Sequence, residues 1–529
     1  MFFFGQLIKT GISLSVKSAK DRPNPINLQF KTLRKLLRTA KDTEFGKEYE
    51  FKKILKEEDE LIQQFQKMVP ISDYNSIYKN WWYKSKQDKE NICWPDRVPY
   101  FALSSGTSEA ASKYIPITKS FIKSARKVSR RMFRDIVSFD LPSELFNKEM
   151  LLVGSSTHLI EEGMHYVGDL SGILSLNRPI WLKPYYRPGF EISNLQDWNK
   201  RIELIVENAP SWDISFVIGN VAWVQLIFEK IIEHYKLKTI HDLWPNFSLI
   251  ALGGIFFEPY RNSFEMLLSK PIIYINSYMA SEGFFAYQPD QNINQMEFIA
   301  NAGIFYEFIE FNDNNFDSEG NIKPNSQAIT MANVKLNIEY ALVISTNAGS
   351  WRYLIGDTLK FENLMNFGFN LTGRTKQYLS VVGEHISIDN LNQAILHINK
   401  TFNLNIKEFS LMAVNYETHW AHQYYISCAD NTFNKLKLAK ELDEYLQSIN
   451  DDYRCQRKHQ LKKVMIEIIP VELFYEWLEL NGKLNGQAKI PRIMKSNMQT
   501  HWESFISTKL NVNETYETIN SSLPGPVEI

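Results

Sequence analysis

The stretch Ile272-Ile273-Tyr274-Ile275 runs straight into Asn276-Ser277-Tyr278-Met279-Ala280-Ser281-Glu282-Gly283-Phe284-Phe285. A short apolar run bounded by Pro271 and a polar segment reads as a buried strand. A carboxylate just beyond such a strand stands where parallel sheets hold their ligand-binding groups. Glu282 is therefore a candidate to hold magnesium, which takes one or two carboxylates and completes its shell with substrate phosphates. A surface glutamate capping a helix start is the competing reading. Outward from this point the same signature repeats at 151–153, 214–218 and 247–252, with a helical stripe of Val224, Ile227, Phe228 and Ile231 between the last two strands. Strands alternating with amphipathic helices predict an α/β fold around a mostly parallel sheet.

The flanks differ. Phe30, Leu33 and Leu37 recur at helical spacing among basic residues, so the first hundred residues read as helical, with a turn at 42–46. Near residue 375 the character changes to an alternating segment at 410–427, an amphipathic helix carrying Leu436, Leu442 and Leu446, and a strand at 464–469. That pattern predicts a large N-terminal domain over 1–375 and a small α+β C-terminal domain over 376–529.

Composition narrows the class. The 529 residues carry 59 basic and 60 acidic side chains, a balance that gives no support for nucleic acid or an anionic membrane as partner. The 44% of apolar residues suffices for a large core, yet no run approaches the roughly 20 residues that span a bilayer. Cys93, Cys428 and Cys455 are far apart and form no CxxC pair, which excludes a readable zinc ribbon and suits buried thiols in a reducing compartment. A soluble, cytoplasmic, monomeric protein is expected.

Two further constellations carry chemistry. Ser104-Ser105-Gly106-Thr107-Ser108 puts four hydroxyls around one glycine, followed by Lys113, and offers donors that can wrap phosphate oxygens. It lacks the two-glycine spacing of a Walker loop, and an ordinary serine-rich turn competes with it. Trp351-Arg352-Tyr353-Leu354-Ile355-Gly356-Asp357 ends on a carboxylate able to accept from two vicinal ribose hydroxyls; a plain Gly-Asp turn is the alternative.

The order of these segments, with Gly373-Arg374-Thr375-Lys376 following, resembles the adenylate-forming superfamily of acyl-CoA ligases, nonribosomal adenylation domains and luciferases. Within it the chain closely resembles the Gretchen Hagen acyl-acid amido synthetases, the auxin-responsive type, and especially their bacterial relatives. The resemblance rests on SSGTSEAASKYIPIT (104–118), LWPNFSLIALGGIFFEPYR (243–261), YMASEGFFAYQ (278–288), GIFYEF (303–308), YALVISTNAGSWRYLIGDTLKF (340–361), GRTKQYLSVVGEH (373–385) and GKLNGQAKIPR (482–492).

What the resemblance implies is specific. Ser104, Ser105, Gly106, Thr107 and Ser108 would form the phosphate loop. Gly253 and Gly254 would bring backbone against adenine, and Tyr278 and Tyr306 would flank its ring, beside Ala280 and Ser281. Glu282 would hold Mg2+, Asp357 would bind ribose with help from Arg374, and Lys376 would be the hinge about which the small domain turns. Lys489 would be the small-domain lysine that neutralises charge developing during catalysis. The activity implied is ATP-dependent adenylation of a small carboxylic acid, followed by acyl transfer to an amine, an amino acid above all. An acyl- or aryl-CoA ligase with a thiol acceptor and a non-catalytic binder of nucleotide or carboxylate remain as alternatives. Asn276, Ser277 and Met279, and the segment 219–223, depart from the residues usual in the bacterial relatives, which leaves the acid open.

Overall fold

The computed structural model describes residues 24–521 apart from 105–112, 140, 254–256, 258–259, 318–319, 377–378, 380, 383, 385, 417–418, 429–432, 460, 483 and 485–487. The chain divides into two compact units, with the changeover after residue 378.

The first unit opens with helices, as the periodicity predicts. Asn24 caps the helix Pro25–Ala40 by accepting from the Ile26 amide, and Leu33, Leu36, Leu37 and Ala40 form its buried face. The segment 42–46, read as a turn, instead starts a second helix, because the Thr43 hydroxyl accepts from the Gly46 amide and caps Glu44–Glu48. These helices enclose an aromatic nest. Trp351 lies against Phe45, Phe51 and Phe65, and its indole N–H donates to the Cys93 carbonyl. Each such buried aromatic contributes about 1.5–3 kcal/mol by removal from water. Beside the nest, Arg352 Nε donates to both oxygens of the fully buried Glu307 at 3.1 Å, and Arg352 Nη1 donates to the Gln66 and Val69 carbonyls.

The strands of this unit, in chain order, are β1 (Tyr100–Ser104), β2 (Lys113–Ile117), β3 (Glu149–Val153), β4 (Ile160–Glu162), β5 (His165–Gly168), β6 (Tyr186–Arg187), β7 (Ile214–Gly219), β8 (Leu249–Gly253), β9 (Ile273–Ala280), β10 (Gly283–Tyr287), β11 (Met296–Phe298), β12 (Ile304–Glu310), β13 (Ile329–Thr330), β14 (Glu339–Thr346), β15 (Tyr353–Asn363) and β16 (Gly368–Arg374). Twelve of them form one sheet in the order β13-β12-β14-β15-β16-β11-β10-β9-β8-β7-β3-β6. From β6 to β9 every pairing is parallel; from β9 to β13 every pairing is antiparallel. The α/β class therefore holds, but "mostly parallel" describes only the half from which the apolar runs were read. In the antiparallel half β9 and β10, and β15 and β16, are joined by turns of two and four residues, and such turns leave no crossover helix to betray them in the sequence. A smaller sheet, β2-β1-β5-β4, stands apart from it, and Lys119–Val137 is a long helix capped by Thr118.

The second unit is α+β. Strands β17 (Phe409–Tyr416), β18 (His419–Ser427) and β19 (Leu461–Ile469) pair in that order, with Ile388–Phe402 and Lys435–Ile449 contributing Leu391, Ile395, Leu438 and Leu442 to its core. Inside it, His422 and Glu384 meet with Nε2 and Oε1 3.0 Å apart, both fully buried, near a bidentate Arg457–Asp443 pair. Of the three cysteines only Cys93 is buried; Cys455 is exposed. No described helix is long and apolar enough to cross a membrane.

Candidate functional site

The antiparallel register of β15 and β16 pairs Asp357 with Arg374 across the ladder. Arg374 Nε donates to Asp357 Oδ1 at 2.7 Å, and the Tyr278 hydroxyl, arriving from β9, donates to Oδ2 at 2.6 Å. Each oxygen is engaged once, so each keeps lone pairs for a further donor. The geometry is that of a carboxylate fixed in orientation and still able to accept. Asp357 and Tyr278 are both nearly buried, whereas the Arg374 side chain is about a third exposed at 37%. Asp357 holds the Arg374 guanidinium above its usual range, against burial. Burial, reinforced by the charge on Asp357, keeps the Tyr278 phenol far above its own range, so the hydroxyl stays a donor.

Gly356, just before Asp357, has φ +91°, a left-handed value that side chains rarely adopt. Its carbonyl accepts from the Thr375 amide at 2.8 Å, which ties the end of β16 to the turn of β15.

Glu282 lies at the tip of a tight hairpin. Ala280 ends β9, Gly283 begins β10 as its cross-strand partner, and Ser281 and Glu282 are the two turn residues. The helix start that competed with the metal reading does not form. Despite its place at a tip, Glu282 is only 6% exposed. Burial raises its carboxyl above the ordinary range, the charge on Asp357 adds to that, and Lys113 and Arg374 oppose it. Burial, reinforced by the charge on Glu282, holds the Tyr353 phenol well above its usual range. Lys113, the first residue of β2, is itself held below its usual range by burial, with Glu282 pulling it back and Arg374 and Lys376 adding repulsion. Its ammonium lies 5.3 Å from the centre of the Tyr74 ring.

Two carboxylates, two cations and two phenols therefore converge: Glu282, Asp357, Arg374, Lys113, Tyr278 and Tyr353. Tyr353 went unnoticed in the sequence, because the ladder of β15 is irregular between Leu354 and Thr358 and no simple alternation links it to Asp357. Such a cluster can accept hydroxyl donors, attract anionic oxygens and offer one hard-oxygen ligand to a cation.

Other expected residues are placed differently. Gly253 ends β8 opposite Ser277, where an added Cβ would meet the serine Oγ at 3.2 Å, so close approach is real there, but between strands. Tyr306 is not brought to the cluster. It is fully buried, packs against Phe298 with ring centroids 4.5 Å apart, and donates its hydroxyl to the Phe285 carbonyl at 3.1 Å. A ring so enclosed has no face to offer an adenine, and its place in the sheet core accounts for it. Tyr278 likewise presents its hydroxyl, rather than a free ring face, to the site. Lys376 and Lys489 are exposed, Lys489 in the second unit. Ser104 closes β1, and Ser105, Gly106, Thr107, Ser108 and Gly254 lie outside the described residues.

Three family descriptions match the chain in order: the GH3 family N-terminal domain over residues 17–163, the central domain over 298–368 and the C-terminal domain over 389–498. Together they cover more than half of it. The chain belongs to the GH3 family. A curated GH3 relative, the indole-3-acetic acid-amido synthetase GH3.2 of Arabidopsis thaliana, is 25% identical over 173 residues, and that match spans 31% of either chain. Among solved structures, the AtGH3.15 acyl acid amido synthetase in complex with 2,4-DB superposes with a TM-score of 0.75 at 17% identity, covering 94% of this chain and 96% of that one. A 2-hydroxyisobutyryl-CoA ligase in the postadenylation state, in complex with 2-HIB-AMP, gives 0.57 at 10% identity, covering 92% and 91%. At these identities the likeness is one of fold. It extends the GH3 architecture, with its large and small domains, over nearly the whole chain.

Proposed function

We propose that this GH3 chain is an ATP-dependent ligase that adenylates a small carboxylic acid and passes the acyl group to an amino acid. The observation that carries the reading is Asp357, held in orientation by Tyr278 and Arg374 beside Glu282, with lone pairs left over for a diol. Ribose hydroxyls suit those lone pairs, and Arg374 and Lys113 suit phosphate oxygens. In this reading the hydroxyls of the segment 104–108, which follows β1 in sequence, would supply further donors, and domain limits of 1–375 and 376–529 with Lys376 as hinge belong to it too.

In the first half-reaction the substrate carboxylate attacks the α-phosphorus of ATP, the bond to the bridging oxygen breaks and pyrophosphate leaves. In the second the amine nitrogen attacks the acyl carbon, the bond to the AMP oxygen breaks, and the nitrogen loses its proton. No residue forms a covalent bond; positioning and fixed charge do the work of the protein. The donor set fits magnesium. Among the described residues no cluster of three or more potential ligands exists that would hold a metal alone, and Glu282 is one carboxylate that burial drives toward neutrality and a cation would favour ionised. Glu282 would hold the ion, which supplies charge neutralisation at the phosphate oxygens. Free cysteines and balanced charge suit a cytoplasmic enzyme.

The test is ATP–pyrophosphate exchange with magnesium across indole, benzoate, phenylacetate and fatty carboxylic acids. Exchange that depends on one acid supports adenylation; offering amino acids and CoA as acceptors then separates amide from thioester formation. ATP binding with no exchange for any acid would leave the non-catalytic binder.

A further inference from the structure

The nearly neutral total charge hides one uneven face of the first unit. On the helix Lys119–Val137, Lys119, Lys123, Arg126, Lys127 and Arg130 are all exposed, and at about 3.6 residues per turn they fall within about 100° of arc. On the helix Pro25–Ala40, Lys31, Lys35 and Arg38 form a matching exposed stripe. The segment 300–304 brings the two helices together. Gln29 Nε2 donates to the Ala300 and Ile304 carbonyls at 2.9 Å, and Lys127 Nζ donates to the Asn301 carbonyl at 2.9 Å. Burial, with the charges of Lys35 and Arg131, holds the Lys127 ammonium below its usual range, so the stripes adjoin.

Neighbouring Arg34, Arg131 and Arg134 reach Glu58 or Asp135, but among the described residues none of these eight cations has a carboxylate partner. The arrangement works against the helices themselves. Lys119 and Lys123, Lys123 and Lys127, Arg126 and Arg130, and Lys31 and Lys35 are like charges four positions apart, which repel. Lys119 also opens its helix, where the dipole disfavours a cation and no acid stands in the first turn. Cations that weaken their own elements in this way suit an anionic surface outside the chain.

Two features select the kind of surface. Arg126 donates to the Asn177 carbonyl, which brings the stripe beside Leu176 and Ile180, apolar side chains 38% and 79% exposed. In sequence, residues 1–22 lead toward the first helix with Phe2, Phe3, Phe4, Leu7 and Ile8, and with four basic residues against one acidic. A nucleic acid would match the cations, but single strands are held by aromatic stacking and duplexes through base edges, and aliphatic tips serve neither well. A bilayer of anionic lipid takes both the cations and the tips. We propose that this face docks the protein reversibly on an anionic lipid bilayer, with the basic stripes on the headgroups and Ile180 and Leu176 at the acyl boundary. Such docking needs no adenylation chemistry.

The experiment is flotation of the full chain with vesicles of phosphatidylcholine, alone or with phosphatidylglycerol as about a third of the lipid. Partition onto the anionic vesicles should be at least about tenfold stronger, and about 0.5 M salt should abolish the difference. Equal partition onto both, or none onto the anionic vesicles, overturns the proposal. Each basic residue near such a surface contributes about fivefold, so Lys123→Glu with Lys127→Glu should weaken partition about twenty-fivefold or more. Ile180→Ser should weaken it about tenfold, and both variants should keep the wild-type melting temperature. The same charge change made in the second unit, Lys458→Glu with Lys462→Glu, should leave partition within about twofold. An equal loss there, or wild-type partition by the Lys123→Glu, Lys127→Glu chain, overturns the assignment of the face. Duplex DNA bound more tightly than the anionic vesicles, with Ile180→Ser without effect, would overturn the bilayer in favour of nucleic acid.

Discussion

Replacing Tyr278 by phenylalanine removes one oxygen, the hydroxyl that donates to Asp357 Oδ2 at 2.6 Å. The ring stays, packed against Phe285 and Phe369, so no large cavity opens. A hydrogen bond to an ionised acceptor contributes about 1.5–3 kcal/mol net. Were all of it lost from ATP binding, affinity would fall roughly ten- to a hundredfold, since about 1.4 kcal/mol is one factor of ten. Arg374 still holds the other oxygen, so the lower end applies. The KM for ATP in acid-dependent pyrophosphate exchange should rise about tenfold, while the melting temperature falls by only about a few degrees. Because burial and Asp357 keep this phenol protonated, the effect should be the same from about pH 6 to 9. An unchanged KM for ATP accompanied by the full loss of stability would refute the reasoning and make the bond a packing device.

The buried Arg352–Glu307 pair gives a stability prediction. Arg352→Met leaves a fully buried carboxylate without its cation and should cost about 3–5 kcal/mol in urea unfolding. Adding Glu307→Gln should recover part of that loss, and strictly additive losses would count against the pair. In the second unit, acid should destabilise. Burial holds His422 below its usual range against the pull of Glu384, so the unfolded chain takes up that proton first and stability falls as pH drops through about 6.5. Glu384, although burial opposes it, is held below the carboxyl range by His422, so its contribution is present above about pH 4.3 and lost below as its folded-state value is passed. Melting followed from pH 7.5 to 5 should show the decline, and His422→Gln should flatten it; an identical slope in the variant would exclude the pair. Lys489→Ala should slow acid-dependent exchange about tenfold or more at unchanged melting temperature, because the side chain is exposed. Wild-type exchange in that variant would remove Lys489 from the reaction.

The parallel half of the sheet was legible because its strands are buried on both faces and announce themselves as unbroken apolar runs. The runs at 151–153, 214–218, 247–252 and 272–275 correspond to β3, β7, β8 and the first part of β9. The stripe of Val224, Ile227, Phe228 and Ile231 is the buried face of the helix Val221–Tyr235, which Asn220 caps. The antiparallel half was not legible as such. Ser281-Glu282 is too short to mark a turn by composition, so the sequence reads through it. Within the site, Glu282, Asp357 and Arg374 were found, but their linkage was not. Tyr278 and Asp357 are 79 positions apart, and no local pattern records a bond over that distance. Tyr306 misled because an aromatic residue on a fully buried strand has the same local signature as one that faces a ligand.

The hairpin that carries Glu282 is also a seam. On one side lie β9, β8, β7, β3 and β6, all parallel; on the other lie β10 to β16, with Arg374 on the third strand from the seam and Asp357 on the fourth. Among the described strands, β9 with β10 is the pairing that joins the halves, and a core in which Phe216, Leu249 and Ile275 cluster with Tyr287, Ile299 and Ala302 packs across the join. Tyr278, on β9, carries the hydrogen-bond network of Asp357 across that join. A fold divided in this way marks a natural place to exchange halves between relatives when shuffling such chains for new substrates.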